Sequence, residues 1–198
     1  MADTLFPETH ASPFAGRALP SVPGVATISL AAPLARLVLR AGPAAAARIG
    51  SSAGLDLRSA INTARPGDGA TALRLGPDEW LLLAEPDGDP WLAARIGDAA
   101  ADAGHGLVDV THRNIGLVLE GPEVETLLSA GCALPLDIAS FPPGRATRTL
   151  LAKAEAVLWR RAADRFHLEV ARSFAPYLVA FLAEAMAAEA AIRTVQRS

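Results

Sequence analysis

The chain has 198 residues, a formal net charge of −3 and a hydrophobic fraction of 51%. A chain of this length corresponds to one large domain or two small ones. It buries enough apolar surface to fold without disulfides or metal ions, and this excludes disorder for most of the chain. The basic residues are scattered and aromatic residues make up only 5%. We therefore expect no nucleic-acid partner, which would require a basic stripe or a base-stacking platform.

The single cysteine, Cys132, permits no disulfide within the chain and no multi-cysteine metal site. Residues 1–20 contain neither a basic start nor an apolar stretch and do not resemble a signal peptide. The apolar run at residues 175–183 is far shorter than a membrane span. These features predict a cytoplasmic protein without a membrane partner.

Residues 1–24 contain four prolines and no sustained periodicity. Such a segment is typical of an extended N-terminal arm that is free or lies along a neighbouring chain.

The remainder contains one pattern twice. An apolar strand at 37–39 is followed by Gly42-Pro43 and a helix, and an apolar strand at 117–119 by Gly121-Pro122 and a helix. Proline suits the first turn of a helix because its fixed φ is helical and its missing N–H would be unpaired there. The repeat predicts two structurally similar halves, residues 25–105 and 106–198, of one structural unit.

Each half continues with a hairpin and a second helix. In chain order we predict strands 71–75 and 79–84, a helix over 89–103, strands 148–152, 156–161 and 165–171, and a helix from about Pro176. These elements predict an α+β fold of two β-α-β-β-α (ferredoxin-like) units, with antiparallel sheets covered by helices.

Local motifs for catalysis or metal binding are weak. The segment Gly50-Ser-Ser-Ala-Gly54 matches the hydrolase nucleophile pattern at Ser52, but it follows a predicted helix, so its glycines are expected to end that helix. No two histidines are three or four residues apart, so we expect no metal site. Among the four, His10 lies in the arm, His105 follows a helix end, and His167 alternates with apolar residues and is expected on the more solvated face of its strand.

A denser group of polar residues follows the second predicted helix, at Asp109, Thr111, His112, Arg113 and Asn114. An Asp–His pair is able to perform general acid–base chemistry. Polar residues at such a bend more often satisfy unpaired backbone groups, and we favour that structural interpretation.

Two further features have structural interpretations only. Cys132 is flanked by small residues after a helix end, which predicts a buried, unreactive thiol. The chain contains neither a G-x-G-x-x-G loop nor a P-loop, so no nucleotide or flavin site of those types is expected in it.

Three segments carry a resemblance to a known superfamily. Asp109-Val-Thr-His112 with Gly121-Pro122, the strand after Gly144, and Asp164-Arg-Phe-x-Leu168 resemble the signature of the folate-binding aminomethyltransferases of glycine cleavage. The resemblance implies an aminomethyltransferase folate-binding-domain-like fold.

Within that superfamily the chain most resembles the gamma subunits of heterotetrameric sarcosine oxidases. The matching motifs begin at Leu75-Gly-Pro-Asp-Glu-Trp80, continue through residues 108–113, 130–137 and 148–159, and end at Arg172-Ser-Phe-Ala-Pro-Tyr177. This resemblance implies alpha, beta and delta subunits as partners and a complex that demethylates sarcosine to glycine with O2 and tetrahydrofolate. It also implies that FAD, FMN, NAD, zinc and tetrahydrofolate are held by the other subunits.

The chain departs from the active aminomethyltransferases where these have Gly-Gly-x-x-Asp-Asp, an aspartate of which contacts folate. Here the sequence reads Ala154-Glu155-Ala156, with no glycine pair and no aspartate pair. The resemblance therefore implies a non-catalytic, structural subunit with no catalytic, cofactor or metal residues of its own. One alternative is a self-sufficient folate-dependent aminomethyl- or methyltransferase using Asp109, His112 and Glu155. Another is the equivalent subunit of a complex that oxidises a different N-methyl amino acid.

Overall fold

The computed structural model describes residues 12–14, 16–85, 89–100 and 104–196, with the backbone alone at 89 and 90. Within these ranges the chain forms two antiparallel sheets and four helices. The six-stranded sheet contains, in spatial order, β1 (Ser21–Val22), β2 (Ala26–Leu30), β8 (Asn114–Glu120), β11 (Arg165–Ala171), β10 (Ala154–Ala162) and β9 (Ala146–Leu151). The five-stranded sheet contains β4 (Thr63–Pro66), β5 (Ala70–Arg74), β6 (Glu79–Ala84), β3 (Ala35–Ala41) and β7 (His105–Asp109).

The helices are α1 (Pro43–Ala53), α2 (Asp89–Ala99), α3 (Val124–Ser129) and α4 (Ala175–Gln196). Helix α1 starts at a proline and ends at Gly54, whose φ of 66° is the left-handed conformation that favours glycine. Ser52 thus lies inside the last turn of a helix, as expected for a glycine-terminated helix and unlike a nucleophile at a strand-to-helix turn. Residues 101–103 of the predicted second helix lie outside the described residues.

The molecule has four layers, helices, sheet, sheet and helices, because apolar residues lie on both faces of each sheet. Helices α3 and α4 cover the outer face of the six-stranded sheet, and α1 and α2 cover that of the five-stranded sheet. A third apolar cluster, with Leu73 and Leu81 from one sheet and Ala146 and Val157 from the other, lies between the two inner faces. The predicted α+β class with antiparallel sheets is confirmed.

The two sheets have the same strand order but exchange strands between the halves of the sequence. The order β4-β5-β6-β3-β7 in one sheet corresponds to β9-β10-β11-β8-β2 in the other. Strand β2 precedes the first repeat in sequence, yet it pairs with β8 of the second. The chain therefore crosses between the sheets twice, from β2 to β3 and from β7 to β8.

Each half contains three strands between its helices, one more than the β-α-β-β-α pattern, and the sequence indicated all three only in the second half. In the first half this strand is β4, which was not expected because it is short, half exposed and ends at Pro66. Its edge meets the other sheet, where the N–H of Ala64 donates to the carbonyl oxygen of Gly144 at 2.8 Å. β4 is thus held on one side by its pairing with β5 and on the other by the segment before β9.

The described part of the N-terminal arm packs on the chain itself. Phe14 is buried in the core beneath the six-stranded sheet, and β1 extends the edge of that sheet by pairing with β2. This differs from the expectation of an arm that is free or lies along a neighbour, because Leu19 and Val22 also contact this core. Residues 1–11 and 15 lie outside the described residues.

Of the helices in the described ranges, none has the length and apolarity needed to cross a membrane.

Candidate functional site

The connection from β7 to β8 carries the Asp109–Asn114 motif. The N–H of Thr111 donates to Oδ1 of Asp109 at 2.7 Å, and the hydroxyl oxygen of Thr111 accepts from the backbone N–H of Arg36 at 2.9 Å. Hydrogen bonds from Thr111 outweigh partial burial and, with the charge of His112, hold the pKa of Asp109 below its usual range. Asp109 and Thr111 thus both satisfy backbone groups where the chain crosses between the sheets, which agrees with the structural interpretation of these two residues.

The two crossings line a cavity of about 550 Å³, here called the crossover cavity. Asp109 and His112 both border it, together with Arg172 and the β2–β3 connection at residues 30–36. The alternative pair Asp109–His112 is thus brought to one surface. The rest of the lining is largely apolar, from residues such as Leu34 and Ile115.

Glu155, the third residue of the alternative site, borders a different cavity. This inter-sheet cavity of about 310 Å³ lies between Val38 and Leu81 of one sheet and Val157 of the other. The side chain of Glu155 is 66% exposed and lies 3.7 Å from Nε of Arg148. The structure therefore does not bring Glu155 together with Asp109 and His112.

Between the cavities lies a buried ionic cluster that the sequence analysis did not identify. Arg36 on β3 and Glu169 on β11 form a two-point ion pair, in which Nε of Arg36 donates to Oε2 and Nη2 donates to Oε1 at 3.1 Å. His167 donates from Nε2 to Oε1 of Glu169 at 2.7 Å. The third nitrogen of the Arg36 guanidinium, Nη1, donates to the carbonyl oxygen of Leu34 at 2.7 Å.

The electrostatics of Glu169 reflect a competition between burial and its two partners. Burial by itself raises the pKa of a carboxyl group, but the hydrogen bonds from His167 and Arg36 and their charges outweigh it. The net effect is a lowered pKa of Glu169, so the carboxylate is the form that the folded protein holds. Such an arrangement binds the two sheets to each other and leaves no lone pair of Oε1 directed at a substrate.

Gly116 provides the space for this cluster. It lies opposite Glu169 in the pairing of β8 with β11. A Cβ atom at Gly116 would lie 2.9 Å from Oε1 of Glu169 and 3.0 Å from Nη2 of Arg36. The signal available in the sequence was an arginine, a glutamate and a glycine, each with apolar residues on both sides along the chain.

His167 corrects one prediction. It was expected on a solvated strand face, yet it is 2% exposed and its ring lies 5.7 Å from that of Trp159. The prediction was wrong because both faces of β11 are covered, one by α3 and α4 and the other by the second sheet.

Cys132 and His105 lie apart from both cavities and from the ionic cluster. Cys132 is buried, as expected, with Sγ at 3.7 Å from the hydroxyl of Thr149. His105 lies exposed on the edge strand β7, and His10 lies outside the described residues. In the described ranges no three His, Cys, Asp or Glu side chains are grouped closely enough to hold a metal ion.

Solved structures identify the class of fold. The chain superimposes on aminomethyltransferase T of the glycine cleavage system from Bartonella henselae with a TM-score of 0.62, covering 86% of this chain and 47% of that one, at 16% identity. The fold is therefore that of the aminomethyltransferases.

The family follows from sequence. The model of the sarcosine oxidase gamma subunit family matches residues 39–189, and the chain belongs to this family. The gamma subunit of sarcosine oxidase from Corynebacterium sp. (strain U-96) is 31% identical over 154 residues, 76% of this chain and 74% of that protein. The gamma subunit from an Arthrobacter species is 27% identical over 146 residues, with 69% and 71% coverage. A chain of the heterotetrameric sarcosine oxidase from Corynebacterium sp. U-96, solved with pyrrole 2-carboxylate, superimposes with a TM-score of 0.80 at 29% identity, covering 89% of this chain and 94% of that one.

Proposed function

We propose that the chain is the non-catalytic, structural gamma subunit of a heterotetrameric sarcosine oxidase. The complex oxidises sarcosine with O2, giving glycine, hydrogen peroxide and a one-carbon unit that passes to tetrahydrofolate or leaves as formaldehyde. The observation that carries the proposal is the match along 94% of a chain of such a complex, together with membership of the gamma subunit family. The partners would be the alpha, beta and delta subunits.

The chemistry of the alternative catalytic residues supports a structural role. The side chains of Asp109 and Thr111 are used to hold the backbone at the β7–β8 crossing. Glu155 is solvated and close to Arg148, and it borders a separate cavity from His112. General acid–base catalysis needs its groups within hydrogen-bond reach of one reacting centre, which this separation disfavours.

We infer that FAD, FMN, NAD, zinc and tetrahydrofolate belong to the partner subunits. The sequence contains no glycine-rich dinucleotide loop and only one cysteine, so it offers none of the common motifs for these groups. The cytoplasmic location of the complex remains a prediction from the sequence.

Co-expression with the alpha, beta and delta subunits from the same source tests the proposal. We expect the four chains to elute together from a size-exclusion column and to produce hydrogen peroxide from sarcosine. We expect the isolated chain to elute without flavin absorbance and to produce none.

Titration of the isolated chain with tetrahydrofolate separates this proposal from the transferase alternative. The structural role predicts no micromolar binding and no effect of Glu155→Ala. Micromolar binding that Glu155→Ala weakens, or demethylation of sarcosine by the isolated chain, would contradict a non-catalytic role.

A further inference from the structure

Helix α4 is apolar on more than its buried side. It runs for 22 residues and contains only three formally charged side chains, Glu184, Glu189 and Arg193. The side that faces the six-stranded sheet buries Leu178, Leu182 and Met186, among others. A surface helix normally has a polar outer face, and a helix that is apolar all round is normally covered on all sides.

The outer face of α4 has the spacing of a helix-packing seam. Six residues separated alternately by four and three positions follow this face and are here called the α4 seam: Tyr177, Phe181, Glu184, Ala188, Ala191 and Val195. Phe181 is half-buried and also packs against the core of the six-stranded sheet, whereas the other five are exposed. This alternation is the heptad spacing by which one helix contacts another along its length. Val195 is 76% exposed, Tyr177 is 40% exposed, and Ile192 beside the seam is 51% exposed.

Charge on the α4 seam is confined to one residue. Arg193 turns inward and pairs with Glu123 before α3, and Glu189 lies on the half-buried side of the helix. Glu184 is exposed in the middle of the seam and has no ion pair within the ranges that the structure describes. A single polar residue in such a seam sets the register and selects the partner.

We propose that the α4 seam is the surface on which a partner subunit docks one of its helices, an apolar helix with a lysine or arginine opposite Glu184. The inference rests on the proposed function, because it assigns the docking surface of the structural subunit. Ala188 and Ala191 allow the two helix axes to approach closely, as small residues do at packed helix interfaces.

Charge argues against a second copy of this chain as the occupant. In a parallel pair of α4 helices the two Glu184 carboxylates would face each other. In an antiparallel pair centred on Met186 they would lie about one helical turn apart, and in either case the seam would contain two like charges and no cation.

The size of the seam points to a partner of subunit size. A helix of 22 residues is about 33 Å long, and a strip about 10 Å wide along it offers roughly 330 Å². A standard interface buries about 800 Å² on each partner. The docked helix therefore belongs to a protein that also contacts surfaces beside α4.

The test is assembly of the co-expressed complex with variants on and off the seam. Ala188→Glu places a second carboxylate one turn from Glu184, and Val195→Glu charges the most exposed apolar residue of the seam. Thr194→Glu is the matched control, because Thr194 is exposed on the same helix but outside the seam. Glu184→Lys and Glu184→Gln test the expected cation.

We expect Ala188→Glu, Val195→Glu and Glu184→Lys to lower recovery of the complex by about tenfold or more, Glu184→Gln to lower it less, and Thr194→Glu to leave it unchanged. Circular dichroism and thermal melting of each isolated variant establish that it is folded.

Assembly of the folded seam variants at the wild-type level would overturn the inference and leave the proposed function intact. Failure of the wild-type chain to assemble with its partners would overturn both. Self-association of the isolated wild-type chain that Ala188→Glu abolishes would identify a second copy as the occupant and overturn the heterologous docking.

Discussion

The carboxylate of Glu169 is almost completely buried, and two side chains hydrogen-bond to it from different directions. Arg36 reaches it from the opposite sheet and His167 from its own strand. Transfer of a charged group from water to the protein interior costs several kcal/mol for each ion. The attraction between the two charges offsets this cost only when both partners are present and hydrogen-bonded. Removal of one partner leaves the other charge buried and unpaired, which is why single substitutions in such pairs are costly.

Replacement of Glu169 by glutamine should therefore destabilise the protein by about 3–5 kcal/mol at neutral pH. The amide retains the shape but not the charge that Arg36 requires. Urea denaturation of the two proteins measures the difference. Glu120→Gln is the control, since Glu120 pairs with Arg165 at the exposed ends of two neighbouring strands of the same sheet, and it should shift the midpoint far less. Equal shifts for the two variants would contradict the importance of burial.

Among the larger elements, the connection between α3 and β9 shows how a long irregular segment is held. Residues 130–145 contain neither helix nor paired strand apart from the bridge at Arg145. Arg160 of β10 donates to the carbonyl oxygens of Leu136 at 2.7 Å and Phe141 at 3.1 Å, and its Nη2 donates to Glu125 at 3.1 Å. One buried guanidinium thus replaces the backbone pairing that this segment lacks.

Arg160→Met should cost about 3 kcal/mol or more, because it leaves buried carbonyl groups without donors. The loss should be concentrated in the connection, so hydrogen exchange of residues 130–145 should accelerate more than that of β10 or β11. Arg161→Met is a close control: Arg161 is exposed and its guanidinium lies over the ring of Trp159, which predicts a loss of about 0.5–1 kcal/mol. Uniform acceleration over the whole chain would contradict this local role.

For the molecule as a whole, the joining of the two sheets is sensitive to pH. The lowered pKa of Glu169 means that the folded state favours the carboxylate more than the unfolded chain does. The stability it contributes is complete above the ordinary glutamate pKa of about 4.3 and is lost as the pH falls through the lowered value. Protonation of Glu169 leaves the guanidinium of Arg36 without its carboxylate partner between the sheets.

We therefore expect the difference in unfolding free energy between wild type and Glu169→Gln to be constant above about pH 5 and to shrink below about pH 4. The subtraction removes the contributions of other carboxyl groups, such as Asp109, whose pKa is also lowered. Urea denaturation at a series of pH values from 7 to 3 measures it. A difference that does not change with pH would mean that Glu169 is not the ionised partner of Arg36.

Much of the fold follows from short-range patterns in the sequence. The Gly-Pro helix start at residue 43, the turn at Gly76-Pro77-Asp78 and the strands on either side of it depend on residues a few positions apart, and the structure has them where the patterns predict. The helix after Gly121-Pro122 begins at Val124, two residues later than its pattern predicts. The motifs from Leu75 to Tyr177 likewise indicated the family that the comparisons show.

The exchange of β2 and β7 between sheets, the burial of His167 and the Arg36–Glu169 pair were not predictable in this way. The two charged residues are 133 positions apart in the chain, and nothing near either one shows that the other exists. The alternation of apolar and polar residues indicates whether a strand has one apolar face. Whether a second sheet covers the other face depends on how the whole chain packs. Short-range sequence patterns thus determine most helices and strands and indicate the family. The buried charges and the cavities beside them depend on the tertiary structure, because they form only where strands distant in the chain meet.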